Sequence, residues 1–238
     1  MATYDRADAR SFLDYVDDWY DRLPAGSLGE AIAAAGGPDK VGIFAIDVLK
    51  GFCVSGPLAG ERVGSIVAPI VELLRAAYDS GVRRFILPQD AHPPDSPEFE
   101  QYGPHCLEGT EEAETVDELM ALPFSHSFEV VPKRSIGVAQ GTRLDDLLES
   151  LPPLGLAICV GDCTDLCLYQ LVMHLKLRSN ADDLGMRVLV PANCVDTYDL
   201  SVEQAQAIGA TPHDAELLHR LFLYHMALNG VDVVREIA

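Results

Sequence analysis

The densest run of reactive residue types in the chain is Cys159-Val160-Gly161-Asp162-Cys163-Thr164-Asp165-Leu166-Cys167-Leu168. It reads as an apolar strand ending at Gly161, followed by a helix that starts near Cys167. A thiol at a helix start faces the positive end of the helix dipole, which lowers its pKa, and the free backbone N–H groups there can stabilise an oxyanion. Those are the requirements of a nucleophile. Three cysteines at this spacing could instead serve a metal or iron–sulfur site, but Cys159 lies within the apolar strand and cannot share a helical face with the other two.

Other chemistry-bearing residues fall at the ends of apolar runs. Asp47 closes Val41-Gly42-Ile43-Phe44-Ala45-Ile46, a placement that suits a catalytic carboxylate and equally a helix cap or turn former. Arg84 to Pro88 leads into Asp90-Ala91-His92, with Glu98 and His105 following in a segment stiffened by Pro93, Pro94, Pro97 and Pro104. Asp and His side chains suit zinc, iron or manganese, and a stiffened loop limits the entropy lost in gathering them. Three ligands leave positions open, as a catalytic metal requires; the plain alternative is a surface loop with exposed histidines. Lys133 ends Val130-Val131-Pro132 and is one of only four lysines, with Lys40, Lys50 and Lys176. Most lysines are solvated surface groups, but Lys133 shares with Asp47 and Asp90 its place at a strand's C-terminal end.

The elements that must position these groups alternate. Six short β-branched runs read as strands: Val41 to Asp47, Arg84 to Pro88, Ser127 to Val131, Leu156 to Gly161, Arg187 to Pro191 and Val231 to Val234. Helical spacing runs through Arg62 to Ser80, Asp165 to Leu177 and Ala215 to Leu228. The alternation predicts an α/β fold of three αβα layers around a six-stranded, mostly parallel, Rossmann-like sheet, with ligands gathered beyond the strands' C-terminal ends. Residues 1–40 read as a helical N-terminal extension, helices over Asp8 to Leu23 and Leu28 to Ala35, packed on a main domain of residues 41–238. Its Trp19, the only tryptophan, is expected to pack.

Composition narrows the partners. A formal charge of −20, from 37 acidic and 17 basic residues, repels phosphate backbones and anionic lipid, which argues against nucleic acid and membrane surfaces. No apolar run is long enough for a bilayer span, and Met-Ala-Thr-Tyr-Asp-Arg-Ala-Asp at the start lacks the basic and apolar parts of a secretory signal, so a cytoplasmic location is expected. The six cysteines, Cys53, Cys106, Cys159, Cys163, Cys167 and Cys194, are then expected to be reduced.

Together these residues resemble the nicotinamidase branch of the isochorismatase-like cysteine hydrolases, from about Val41 to the C-terminus. Asp47, Phe52, Gly56 and Leu58 resemble the family's first motif. Asp90, His92, Tyr102, His105 and Cys106 match its metal motif, with Glu98 placed where some members add a ligand. Lys133 matches its lysine, and Gly161, Thr164, Asp165 and Cys167 match its Gly-x-x-Thr-Asp-x-Cys. The resemblance implies a cis peptide before Cys163, an oxyanion hole from the backbone N–H groups of Cys163 and Cys167, and hydrolysis of a small amide such as nicotinamide through a thioester on Cys167. Asp47 would be its base and Lys133 its charge stabiliser, with Phe52 and Tyr102 enclosing the substrate. The metal would be a divalent transition ion, zinc before iron or manganese, held by Asp90, His92 and His105. The partner is then a small-molecule amide, and the oligomeric state stays open, a homo-oligomer included. Leu49, Lys50, Gly51, Tyr102, Ala139 and the N-terminal extension depart from the family pattern, in ways that touch substrate shape more than catalysis. A metal-free amidase for carbamoyl or ureido substrates would not need His92 and His105. A vinyl-ether hydrolase would not need Cys167, and a non-catalytic metal-binding or interaction protein would leave Lys133 and the cysteine turn unused.

Overall fold

A computed structural model describes residues 6–238, so the first five residues of the expected extension lie outside the described residues. The strands are β1 (Val41–Ile46), β2 (Arg84–Asp90), β3 (Phe128–Lys133), β4 (Leu156–Asp162), β5 (Arg187–Pro191), β6 (Val195–Asp196) and β7 (Asp232–Val234). Their order is β3-β2-β1-β4-β5-β7, with β6 paired to β4, and every pairing is parallel. The sheet thus has the six expected strands plus β6, whose two residues are too few to leave a periodic signal.

The helices in chain order are α1 (Arg6–Asp21), α2 (Leu28–Ala35), α3 (Lys50–Cys53), α4 (Glu61–Gly64), α5 (Val67–Asp79), α6 (Phe99–Tyr102), α7 (Asp117–Met120), α8 (Leu144–Ser150), α9 (Cys167–Ala181), α10 (Val202–Ile208) and α11 (Ala215–Leu228). The stripe expected as one helix over Arg62 to Ser80 is two. Pro69 has no N–H to give to the Ser65 carbonyl, and it is tolerated only because it falls in the first turn of α5.

Strand alternation divides the core between the two faces of the sheet. Ile43, Ala45, Phe85, Leu87, Ile158 and Val160 pack with α2 and α5, while Phe44, Ile46, Ile86, Ala157 and Cys159 pack with α9 and α11. Trp19 packs edge-on against Tyr224 of α11, as do Phe12 and Tyr15. The segment after α1 is tied to the chain's end, since Gly26 N–H donates to Glu236 C=O and Leu28 N–H to Ala238 C=O. No helix among the described residues is long and apolar enough to cross a membrane.

Candidate active site

The order of the sheet reverses between β1 and β4, the place where open parallel sheets bind ligands. Asp47 follows β1 there, and the register sets Asp90 opposite Lys133 across β2 and β3. Lys133 Nζ lies 2.6 Å from Asp90 Oδ1, 2.7 Å from Asp47 Oδ2 and 3.4 Å from Cys167 Sγ, and all four residues are buried. The Lys133–Asp47 contact is Coulombic, because Oδ2 has no well-directed hydrogen-bond donor. Asp47 itself sits at φ 53, and its Oδ1 accepts from the Asp90 N–H at 2.8 Å. A left-handed aspartate at a convergence of charges is the kind of backbone outlier found at working sites.

The two carboxylates are driven apart. Burial and the neighbouring Asp90 push Asp47 up to about 6 against the pull of Lys133. Burial also acts on Asp90, but Lys133, His105 and His92 outweigh it and hold that carboxyl well below the usual range. Lys133 is desolvated too, yet Asp47 and Asp90 keep it well above the ordinary lysine value, so it stays an ammonium. Cys167 departs from expectation. Burial pushes its thiol up, with Asp47 and Asp90 adding to the rise and Lys133 opposing it. The helix start does not by itself lower the thiol, because burial outweighs it, and Asp47, pushed up to about 6, lies beside the sulfur.

Asp90, His92 and His105 each offer a ligand atom within 4.8 Å of the others, and all three are buried. His105 Nδ1 lies 2.8 Å from the Gly103 carbonyl, which can only accept, so Nδ1 carries a proton, and Nε2 faces Asp90 Oδ2 at 3.8 Å. His92 Nδ1 faces Ser96 Oγ at 3.3 Å, and its Nε2 is buried with no hydrogen-bond partner. An orphaned imidazole nitrogen beside a second imidazole and a carboxylate fits a divalent transition metal. The Phe99 ring packs on both imidazoles, with centroids 5.4 Å from His92 and 5.6 Å from His105.

The Gly161–Cys167 turn is fixed from two sides. The Asp162–Cys163 peptide is cis. Gly161 has φ 112, and a Cβ there would collide with the Ile46 carbonyl oxygen of β1, so no other residue fits this approach. Thr164 N–H donates to Asp196 C=O on β6, and Leu166 and Leu168 N–H both donate to Cys163 C=O. Among the described residues these bonds leave the N–H groups of Cys163 and Cys167 without a protein acceptor. Asp165 accepts from Thr197 Oγ1 at 2.6 Å and from His213 Nε2 at 2.8 Å, while His213 Nδ1 faces the Tyr198 carbonyl at 2.8 Å. Both ring nitrogens of His213 meet acceptors, which makes it an imidazolium.

The sequence pattern of the isochorismatase domain matches residues 41–218. The chain belongs to the isochorismatase family. Among its relatives, Nicotinamidase 1 of Arabidopsis thaliana is 32% identical over 216 residues, covering 84% of this chain and 87% of the relative. Solved structures share the fold at lower identity. Nicotinamidase from Bacillus subtilis superposes with a TM-score of 0.62 at 23% identity, covering 82% of this chain and 99% of its own. N-carbamoylsarcosine amidase from Thermoplasma acidophilum does so with a TM-score of 0.62 at 21% identity, covering 82% and 96%. As a member of the isochorismatase family, the chain is a hydrolase.

Within this isochorismatase-family site, Phe52 and Tyr102 both stand beside His105, with ring centroids 5.7 Å and 6.4 Å away. Glu98 stands outside the Asp90–His92–His105 group, and its Oε2 accepts from Ile136 N–H at 3.1 Å. Lys50, a departure from the family pattern, is spent on Glu114 and Asp117, each at 3.0 Å, and on Glu111 at 3.7 Å. Ser96, Phe99, Thr197 and His213 carry no sequence signal of their own, because each acts through a neighbour that only the fold supplies. For Ser96 and Phe99, proximity to His92 in the proline-stiffened loop was the available hint.

Proposed function

We propose that this isochorismatase-family hydrolase is a cysteine-dependent amidohydrolase that releases ammonia from a small heteroaromatic amide, with nicotinamide the substrate of best fit. The observation that carries the reading is the Lys133 ammonium held at once on Asp47, Asp90 and Cys167. Asp47 takes the Cys167 proton, and Lys133 offsets the thiolate charge as it forms. The thiolate attacks the amide carbonyl, and the oxyanion is received by the Cys163 and Cys167 N–H groups. Asp47 returns the proton to the departing ammonia, and with a pKa of about 6 it can then deprotonate the water that cleaves the thioester.

Asp90, His92 and His105 would hold a divalent transition metal, zinc by preference for this ligand set, which when bound supplies a Lewis acid with open positions suited to a ring nitrogen. Phe52 and Tyr102 offer flat apolar surface next to it. Glu98 is a further ligand only if its carboxylate leaves the Ile136 N–H. Free thiols as reagents suit a reducing compartment such as the cytoplasm, and residues 1–40, whose described part carries α1 and α2, are read as an N-terminal extension to a hydrolase domain of residues 41–238.

Ammonia release from nicotinamide, pyrazinamide, benzamide and a small carbamoyl compound at equal concentration tests the reading, with metal analysis of the same sample. Nicotinamide is expected to outrun benzamide, and near-stoichiometric metal is expected to be lost in His92→Ala and His105→Ala. Preference for the carbamoyl compound, or full metal content in both variants, would overturn the substrate or the metal assignment respectively.

A further inference from the structure

Tyr20 and His219 lie outside residues 41–218 that match the isochorismatase domain, yet they connect to the nucleophile turn. Tyr20 Oη is 3.2 Å from His219 Nε2, and His219 Nδ1 is 2.9 Å from Thr164 Oγ1. His219 is 3% and Thr164 0% exposed, so the bond between them has no bulk water to replace it, while the Tyr20 end is partly buried. Burial pushes the His219 pKa down, with Arg62 and Arg220 adding to the fall and Asp196 and Glu216 opposing it without reversing it, so the ring is neutral. A neutral imidazole has one N–H and one lone pair, so the Tyr20 hydroxyl, the ring and the Thr164 hydroxyl must all donate in the same direction.

The far end of this line is held firmly. Tyr20 meets the imidazole edge-on at 5.6 Å, and the Arg220 guanidinium lies 4.8 Å over its ring. Arg220 is itself fixed by Glu216 on α11 and by Asp17 on α1. At the near end, the Thr164 N–H donates to the Asp196 carbonyl of β6, and the Asp196 carboxylate accepts from Arg62 at 2.7 Å. Thr164 is thus gripped through its backbone from the sheet and through its hydroxyl from α1 and α11. It directly follows Cys163, which with Cys167 has an N–H that faces no protein acceptor among the described residues.

We propose that Tyr20 and His219 are positioning residues, through which the N-terminal helix α1 braces the Cys163–Cys167 turn and so aims the N–H groups that receive the oxyanion. The kinetic part of this inference rests on the proposed amide hydrolysis. A misaimed oxyanion hole lowers kcat and leaves substrate binding alone, because the oxyanion exists only in the transition state.

The test compares the full-length protein with Tyr20→Phe, His219→Asn and the double variant. Asparagine can replace Nδ1 toward Thr164 but cannot reach Tyr20. Each single variant is expected to lose about fivefold in kcat, the effect of one neutral hydrogen bond, with KM unchanged and Tm lowered by no more than about a few degrees. The double variant is expected to be no worse than either, since both cut the same link. Hydrogen exchange of the peptide spanning the turn is expected to quicken about fivefold in the same variants. Unchanged kcat together with unchanged exchange would overturn the brace, as would losses that simply follow a lowered Tm with exchange raised throughout. If the wild-type protein releases no ammonia from any amide, the functional reading fails, and exchange at the turn alone decides whether the brace exists.

Discussion

Lys133 has three jobs that cannot be separated. It compensates Asp47, it compensates Asp90, and it faces the Cys167 thiol, all shielded from bulk solvent. Removing one partner of a buried ion pair leaves the others uncompensated, which costs about 3–5 kcal/mol in typical cases. Lys133→Ala is therefore expected to lose ammonia release and to fall by that order in urea denaturation. Stability equal to wild type would mean that the ammonium is not what holds Asp47 and Asp90 together. Lys133, Asp47, Asp90 and Cys167 were legible in the sequence for one reason: each ends a strand or starts a helix, and parallel strands bring such ends to one edge. Burial was not legible there. The sequence places Cys167 at a helix start and suggests an acidic thiol, whereas enclosure by the sheet and by two carboxylates raises it.

At the scale of elements, Asp165 and His213 tie the start of α9 to the segment before α11. Asp165 is lowered, because its bonds from His213 and Thr197 outweigh its burial, and His213 is raised, because Asp165 outweighs its burial. The carboxylate's contribution is present above its unfolded pKa of about 4 and is lost as pH falls through its depressed folded value. The imidazolium's is present below about 6.5 and is lost as pH rises through its elevated folded value. The stability gap between wild type and His213→Asn should accordingly be widest between about pH 4 and 6.5 and shrink toward pH 9. Denaturation midpoints of the two proteins across that range check this, and a gap that grows with pH would show that His213 is neutral. Long strands and helices were readable because periodicity needs length. Strand β6 was not, although Asp196 on it anchors both Thr164 and Arg62, and neither was the break at Pro69, because the apolar stripe runs on through it.

For the molecule as a whole, the charge of −20 acts on what enters and what leaves. Many of the basic residues are already paired, Lys50, Arg62, Arg178 and Arg220 each with two or more carboxylates, so the outer field is that of an anion. In the proposed reaction an uncharged amide would enter such a field freely, while the carboxylate product would be pushed out. Inhibition by nicotinate is therefore expected to be weak at low ionic strength and to strengthen with added salt as the repulsion is screened. Inhibition that weakens with salt would point to a local cation as the product's partner. In the proposed reaction Cys167 forms the covalent bond. Acid quenching of the enzyme during nicotinamide turnover, followed by mass analysis of its peptides, tests this directly. An acyl group on the peptide carrying Cys167, absent from an inactive but folded Cys167→Ala and retained in a slower Cys163→Ala, is the expected result. Ammonia release that persists in Cys167→Ala would contradict it.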